Sequence, residues 1–256
     1  MPVTFSSEGR VGTITLDHPP ANSYDLKVMT QFSAAVDQAL ASDVVAVILN
    51  SASEKFFCGG ADIKTFLQGD VAANMEMIRV SQAAFKRMAA APQVFIAHIN
   101  GHAMGGGLEL TLACDLRYAN HGRYRMGTPE VTLGLLPGNG GTQRLTRLIG
   151  SARAMELLIT GRAITPEEAL QIGLVSALFA PEEAQAKVRE QAERFASGAT
   201  LALAAIKRCV HEGGQLPLDQ GLALEADLIE KLFASSDANE GLHAFVEKRA
   251  PRFTGA

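Results

Sequence analysis

Only three cysteines, Cys58, Cys114 and Cys209, occur in the 256 residues, and they stand far apart. That scarcity excludes a disulfide framework and a paired-thiolate metal site, and it suits a reducing compartment. Basic residues are not in surplus: 23 Lys and Arg face 27 Asp and Glu, giving a formal charge of −4. Such a chain has no excess cations to neutralise a phosphate backbone, so no nucleic-acid partner is expected. No apolar run reaches the roughly 18 residues of a membrane span, and Met1 to Arg10 has no signal-peptide core. A cytoplasmic location without membrane contact is expected. Long linkers, low-complexity tracts and clear internal repeats are also missing.

Several catalytic signatures are absent too. No H-E-x-x-H pair, G-x-S-x-G elbow or P-loop lysine occurs, so His98, His102 and His121 read as structural and no metal is expected. What is present is apolar bulk. Hydrophobic residues make up 47% and charged ones 20%, enough for a large core and too apolar for disorder.

Arg10 to Leu16 alternates with period two, as a half-buried strand does, and Pro19-Pro20 breaks it. From Asp25 to Ser42, Leu26, Met29, Phe32, Val36, Ala39 and Leu40 recur at helical steps. Val44 to Leu49 is a continuous β-branched run, expected where both sheet faces are covered. A helix over 72–90 and a strand over 94–99 follow, and the order βαβαβ favours a mostly parallel sheet. Beyond residue 150 helix starts dominate, at Thr165-Pro-Glu-Glu168, Pro181-Glu-Glu183 and Asp237-Ala-Asn-Glu240. The reading is an α/β core over 1–195 with a helical region over 196–256.

Three stretches carry candidate chemistry. Asn100 to Glu109 runs from a strand through Gly105-Gly106-Gly107 into a buried helix, so first-turn amides and the helix dipole can hold an anion. Close helix packing is the alternative use of those glycines. Phe56 to Lys64 forms a second glycine-containing loop at the same sheet edge, either a donor loop or a plain turn with Asp62 capping the next helix. Two converging amides are what a thioester oxygen needs as it gains charge. Third, Glu130 follows Pro129 in apolar surroundings; burial would raise its pKa and suit a group that gives and takes a proton. A plain helix-start role is the alternative. Neither Gly105 to Gly107 nor Gly138-Asn-Gly-Gly-Thr-Gln143 has the spacing of a nucleotide cradle.

Together with Gly60-Ala-Asp-Ile-Lys64, Pro137-Gly-Asn-Gly-Gly-Thr-Gln-Arg-Leu145, Thr160-Gly161, Ala169 to Val175 and Phe245 to Arg249, these motifs make the chain resemble the enoyl-CoA hydratases of the crotonase (enoyl-CoA hydratase/isomerase) superfamily over nearly its whole length. The resemblance implies a spiral of ββα units with a helical C-terminal trimerisation region, assembled as a homotrimer or homohexamer. It implies an acyl-CoA substrate, fatty-acid β-oxidation chemistry and no cofactor, coenzyme A being part of the substrate. It places the thioester oxygen between the amides of Ala61 and Gly106, and gives Glu109 the activation of water and Glu130 the α-proton. Coenzyme A would lie along Phe57, Gly60, Ala61, Asp62, Ile63 and Lys64, with Gly105 and Gly138 nearby and Lys248 or Arg249 meeting phosphates. The chain departs from the family at Asn22-Ser23-Tyr24-Asp25, where many relatives carry Asn-Ala-Leu, and that leaves substrate choice open. Rival readings are a Δ3,Δ2-enoyl-CoA isomerase, which often lacks one carboxylate, and a non-catalytic acyl-CoA-binding or RNA-binding member.

Overall fold

The computed structural model describes residues 1–256. In chain order the elements are β1 Val3–Glu8, β2 Val11–Leu16, α1 Leu26–Leu40, β3 Ala46–Ser51, β4 Phe56–Cys58, α2 Ile63–Gln68, α3 Val71–Ala90, β5 Val94–Ile99, β6 His102–Met104, α4 Gly106–Leu112, β7 Leu116–Asn120 and β8 Met126–Gly127. A 3-10 turn at Pro129–Leu133 follows, then α5 Gly141–Ile149, α6 Ser151–Thr160, α7 Pro166–Gln171, β9 Ala177–Phe179, α8 Pro181–Ala196, α9 Thr200–His211, α10 Leu218–Phe233 and α11 Ser236–Glu247.

The chain makes one move three times. A long strand (β3, β5, β7) enters a six-stranded sheet, a short strand (β4, β6, β8) enters a separate three-stranded sheet, and a helix or 3-10 turn leads back. This is a spiral of ββα units. The large sheet runs β1-β2-β3-β5-β7-β9 and is parallel except for β1 against β2. Burial on both faces explains the unbroken apolar run of β3 and the six buried residues of β5. Phe95 and Val47 face the cluster under α1 and α3, while Ala46, Ile48 and Ile96 face Val188 and Ala192 of α8. Truncating a fully buried Phe such as Phe95 to Ala would cost roughly 3–5 kcal/mol.

The expected helices form with the caps the sequence encodes. Asp25 accepts from the Val28 amide at the start of α1, and Thr165 accepts from Glu168 ahead of α7. Three details differ from expectation. β1 was not legible, because Ser6, Ser7 and Glu8 carry no strand pattern; pairing with β2 along an exposed edge decides it. Phe56 to Cys58, expected within a loop, forms β4. The last helix is capped by Ser235 and not by Asp237, whose buried carboxylate instead accepts from the amides of Thr254 at 2.7 Å and Gly255 at 2.9 Å. No helix is long and apolar enough to cross a membrane.

Candidate active site

β4 and β6 are parallel neighbours in the small sheet, so the glycine loops that follow them emerge side by side. The shared edge is therefore that of the small sheet, not of the strand Val44 to Leu49. The approach of the two loops needs glycine. Gly60 has φ +88, and a Cβ there would lie 2.7 Å from the Met104 carbonyl oxygen and 3.2 Å from the Gly106 nitrogen. Gly107 lets α4 lie directly on the Cys58 carbonyl. Neither the Ala61 N–H nor the Gly106 N–H donates to a protein acceptor. For Gly106 that follows from its place in the first turn of α4.

One turn along α4, all of whose residues are buried, stands Glu109, 1% exposed. Its Oε1 accepts from the amides of Asn139 and Gly141, each at 2.7 Å. Gly140, at φ +100, turns the chain between them. Burial pushes the Glu109 carboxyl up to about 7; the Gly141 amide opposes this and the nearby Glu130 adds to it. Glu130 sits on the 3-10 turn after β8, where Pro129 fixes the first position. A Cβ at Gly105 would lie 3.0 Å from Glu130 Oε1, so this carboxyl rests on the residue that precedes α4. Burial raises its pKa as well, and its Oε2 is buried without a partner.

The two carboxyls thus differ in what surrounds them. Two amide donors hold Glu109 Oε1, while Glu130 keeps one oxygen without a partner, and burial raises the proton affinity of both. Two carboxyls of raised proton affinity, next to two unused amides, can move two protons around a carbonyl compound that gains charge on its oxygen.

The structure brings Gly60, Ala61, Gly105, Gly106, Glu109 and Glu130 together. Asp62 caps α2 through the Lys64 amide at 2.8 Å, and Ile63 and Lys64 are exposed beside it. Phe57 is a core side chain with no exposed surface; its carbonyl accepts from Asn22. Gly138 turns its carbonyl to Gln82, and it is the following residues, Asn139 and Gly141, that serve the carboxylate. Lys248 ends α11 in a left-handed conformation, and Arg249 is engaged by Glu240 and Glu247; within one chain this helix packs on α10. His98 bonds Asn120, and His102 accepts from the Arg125 amide. Missed from sequence were the Asn139 and Gly141 amides, whose signal was a glycine-rich helix start after Pro137.

Comparisons with known proteins agree with this geometry. A family model described as Enoyl-CoA hydratase/isomerase matches residues 6–256. A short-chain-enoyl-CoA hydratase of Clostridium acetobutylicum is 36% identical over 251 residues, covering 96% of this chain and 95% of the relative. A 2,3-dehydroadipyl-CoA hydratase of Escherichia coli is 36% identical over 98% of this chain and 97% of its own. A crystal structure of an enoyl-CoA hydratase from Bacillus anthracis superposes with a TM-score of 0.95 at 36% identity, covering all of both chains.

Proposed function

Because the chain belongs to the enoyl-CoA hydratase/isomerase family, we propose that it adds water in the syn sense to a 2-trans-enoyl-CoA, giving a 3-hydroxyacyl-CoA. The observation that carries this reading is the pairing of Glu109 and Glu130 in unlike surroundings beside the free amides of Ala61 and Gly106. Glu109, held by two N–H donors, takes a proton from water as the water oxygen bonds to the β-carbon. The electron pair of the double bond moves onto the thioester oxygen, where the two amides stabilise the enolate. Glu130 then gives its proton to the α-carbon. An isomerase needs only one of these carboxyls, so the intact pair favours hydration. Coenzyme A enters as part of the substrate and the scheme calls on no other group.

Exposed apolar side chains on α10 and α11, among them Leu222, Phe233, Leu242 and Phe245, support a homotrimer or homohexamer, which light scattering would measure. Free thiols, two of them buried, fit the cytoplasmic location we assign. The test of the reaction is a panel of 2-enoyl-CoA esters followed by loss of the conjugated thioester absorbance. Hydration of at least one ester, reduced about 100-fold or more in Glu130→Gln, is the expected result. A 3-enoyl ester converted while every 2-enoyl ester stays untouched would overturn it in favour of an isomerase.

A further inference from the structure

Tyr24 lies between β2 and α1 and is 3% exposed. Its main chain pairs with the loop after β4: the Tyr24 N–H donates to the Gly60 carbonyl at 2.9 Å, and its carbonyl accepts from Asp62 at 2.8 Å. Ala61 is thereby bracketed. The preceding turn is anchored by Asn22, whose amide donates to Ser51 Oγ at 2.7 Å and to the Phe57 carbonyl at 3.0 Å. Tyr24 is thus fixed to the segment carrying one of the two free amides.

Its side chain reaches the residue that carries the other. A Cβ built on Gly106 would clash with Tyr24 Oη, so the phenol oxygen occupies the space beside the Gly106 Cα. Asn139 Nδ2 donates to that oxygen at 2.9 Å, while the Asn139 main-chain amide holds Glu109. With one lone pair occupied by Asn139, the phenol keeps its own O–H, which donates to no protein atom, and Asn139 Oδ1 is likewise buried without a partner. Burial, and then the neighbouring acidic groups, hold the phenol well above its ordinary pKa, so it stays a neutral donor.

Resting on the hydratase reading, we propose that Tyr24 is a further catalytic residue, whose O–H donates to the thioester oxygen alongside the amides of Ala61 and Gly106. The site then offers three donors, and Asn139 couples the third to the base by holding both Tyr24 Oη and Glu109 Oε1. An O–H that lacks a protein partner gains most when its acceptor becomes an anion, so it stabilises the enolate more than the ground state.

The experiment compares wild type with Tyr24→Phe and Asn139→Ala. Hydration of crotonyl-CoA is measured, together with the absorption red shift of bound 4-dimethylaminocinnamoyl-CoA, whose band reports polarisation of the thioester carbonyl. Tyr24→Phe keeps the ring and should lower kcat about 10- to 100-fold with KM changed less than about threefold, and reduce the red shift. Asn139→Ala should reduce both by less, since the hydroxyl remains. Full kcat in Tyr24→Phe, as expected if the phenol donates to Asn139 Oδ1, overturns the proposal. A lowered kcat with an unchanged red shift overturns it too, because the hydroxyl then acts elsewhere than on the carbonyl. A wild type that hydrates no enoyl ester defeats the hydratase reading itself, a result distinct from either.

Discussion

Replacing Glu109 by Gln should make the protein more stable at neutral and alkaline pH while removing its hydration activity. Glu109 is buried, and its pKa lies near 7 against an ordinary 4.5. Folding therefore raises its proton affinity. Below pH 4.5 the carboxyl is neutral in both states and imposes no penalty. As pH rises from 4.5 towards 7, the unfolded chain ionises it freely while the folded chain resists, and stability is lost until the folded pKa is passed. At about 1.4 kcal/mol per pH unit, the interval between 4.5 and about 7 amounts to about 3 kcal/mol. Gln has no charge to desolvate, and its Oε1 can still accept from the amides of Asn139 and Gly141. Its advantage should open between pH 4.5 and 7 and level off above that, near about 6–12 °C in Tm at the scaling for chains of this size. Thermal unfolding of both proteins at matched concentration from pH 5 to 9 measures the gap. Any fixed cost of the amide appears as a constant offset. A gap that does not widen between pH 5 and 8 would refute the reasoning, whatever its sign.

The same group sets the pH profile: kcat/KM for crotonyl-CoA should fall as pH drops through about 7, where Glu109 becomes protonated and ceases to act as a base. A flat profile from pH 5 to 9 would remove Glu109 from that role. Gly141→Ala would put a Cβ 2.7 Å from Pro137 Cβ and 3.0 Å from Glu109 Oε1. Displacing the carboxylate should cost about 100-fold in hydration, and stopped assays with the far-ultraviolet spectrum unchanged would check it. Lys207 is buried against Asp115 at 2.8 Å and the carbonyls of Met88 at 2.7 Å and Gln93 at 2.6 Å. Lys207→Met leaves that carboxylate without its ammonium partner and should lower stability by about 3–5 kcal/mol in urea unfolding. A loss under about 1 kcal/mol would mean that Asp115 is served adequately by His211 and the Phe95 amide.

Elements whose signal is local were legible. The helical spacing from Leu26 to Leu40 and the β-branched run at β3 encode burial in the residues themselves, and Asp25 and Thr165 encode their caps. The short strands β4, β6 and β8 have no such signal: two or three residues cannot show a period, and only pairing among distant segments makes them a sheet. For the same reason Asp237 read as a helix start, since the tail that takes up its carboxylate lies far along the chain.

By itself the sequence determined which groups are available: two glutamates, three glycine loops and too few cysteines for a framework. What only the tertiary structure decided is how those groups differ from one another. Glu109 and Glu130 are the same residue type, and they become unlike because one meets two amides from a loop some 30 residues away while the other keeps an unpartnered oxygen. Proton affinity depends on local solvation and hydrogen bonding, and these are properties of packing in three dimensions.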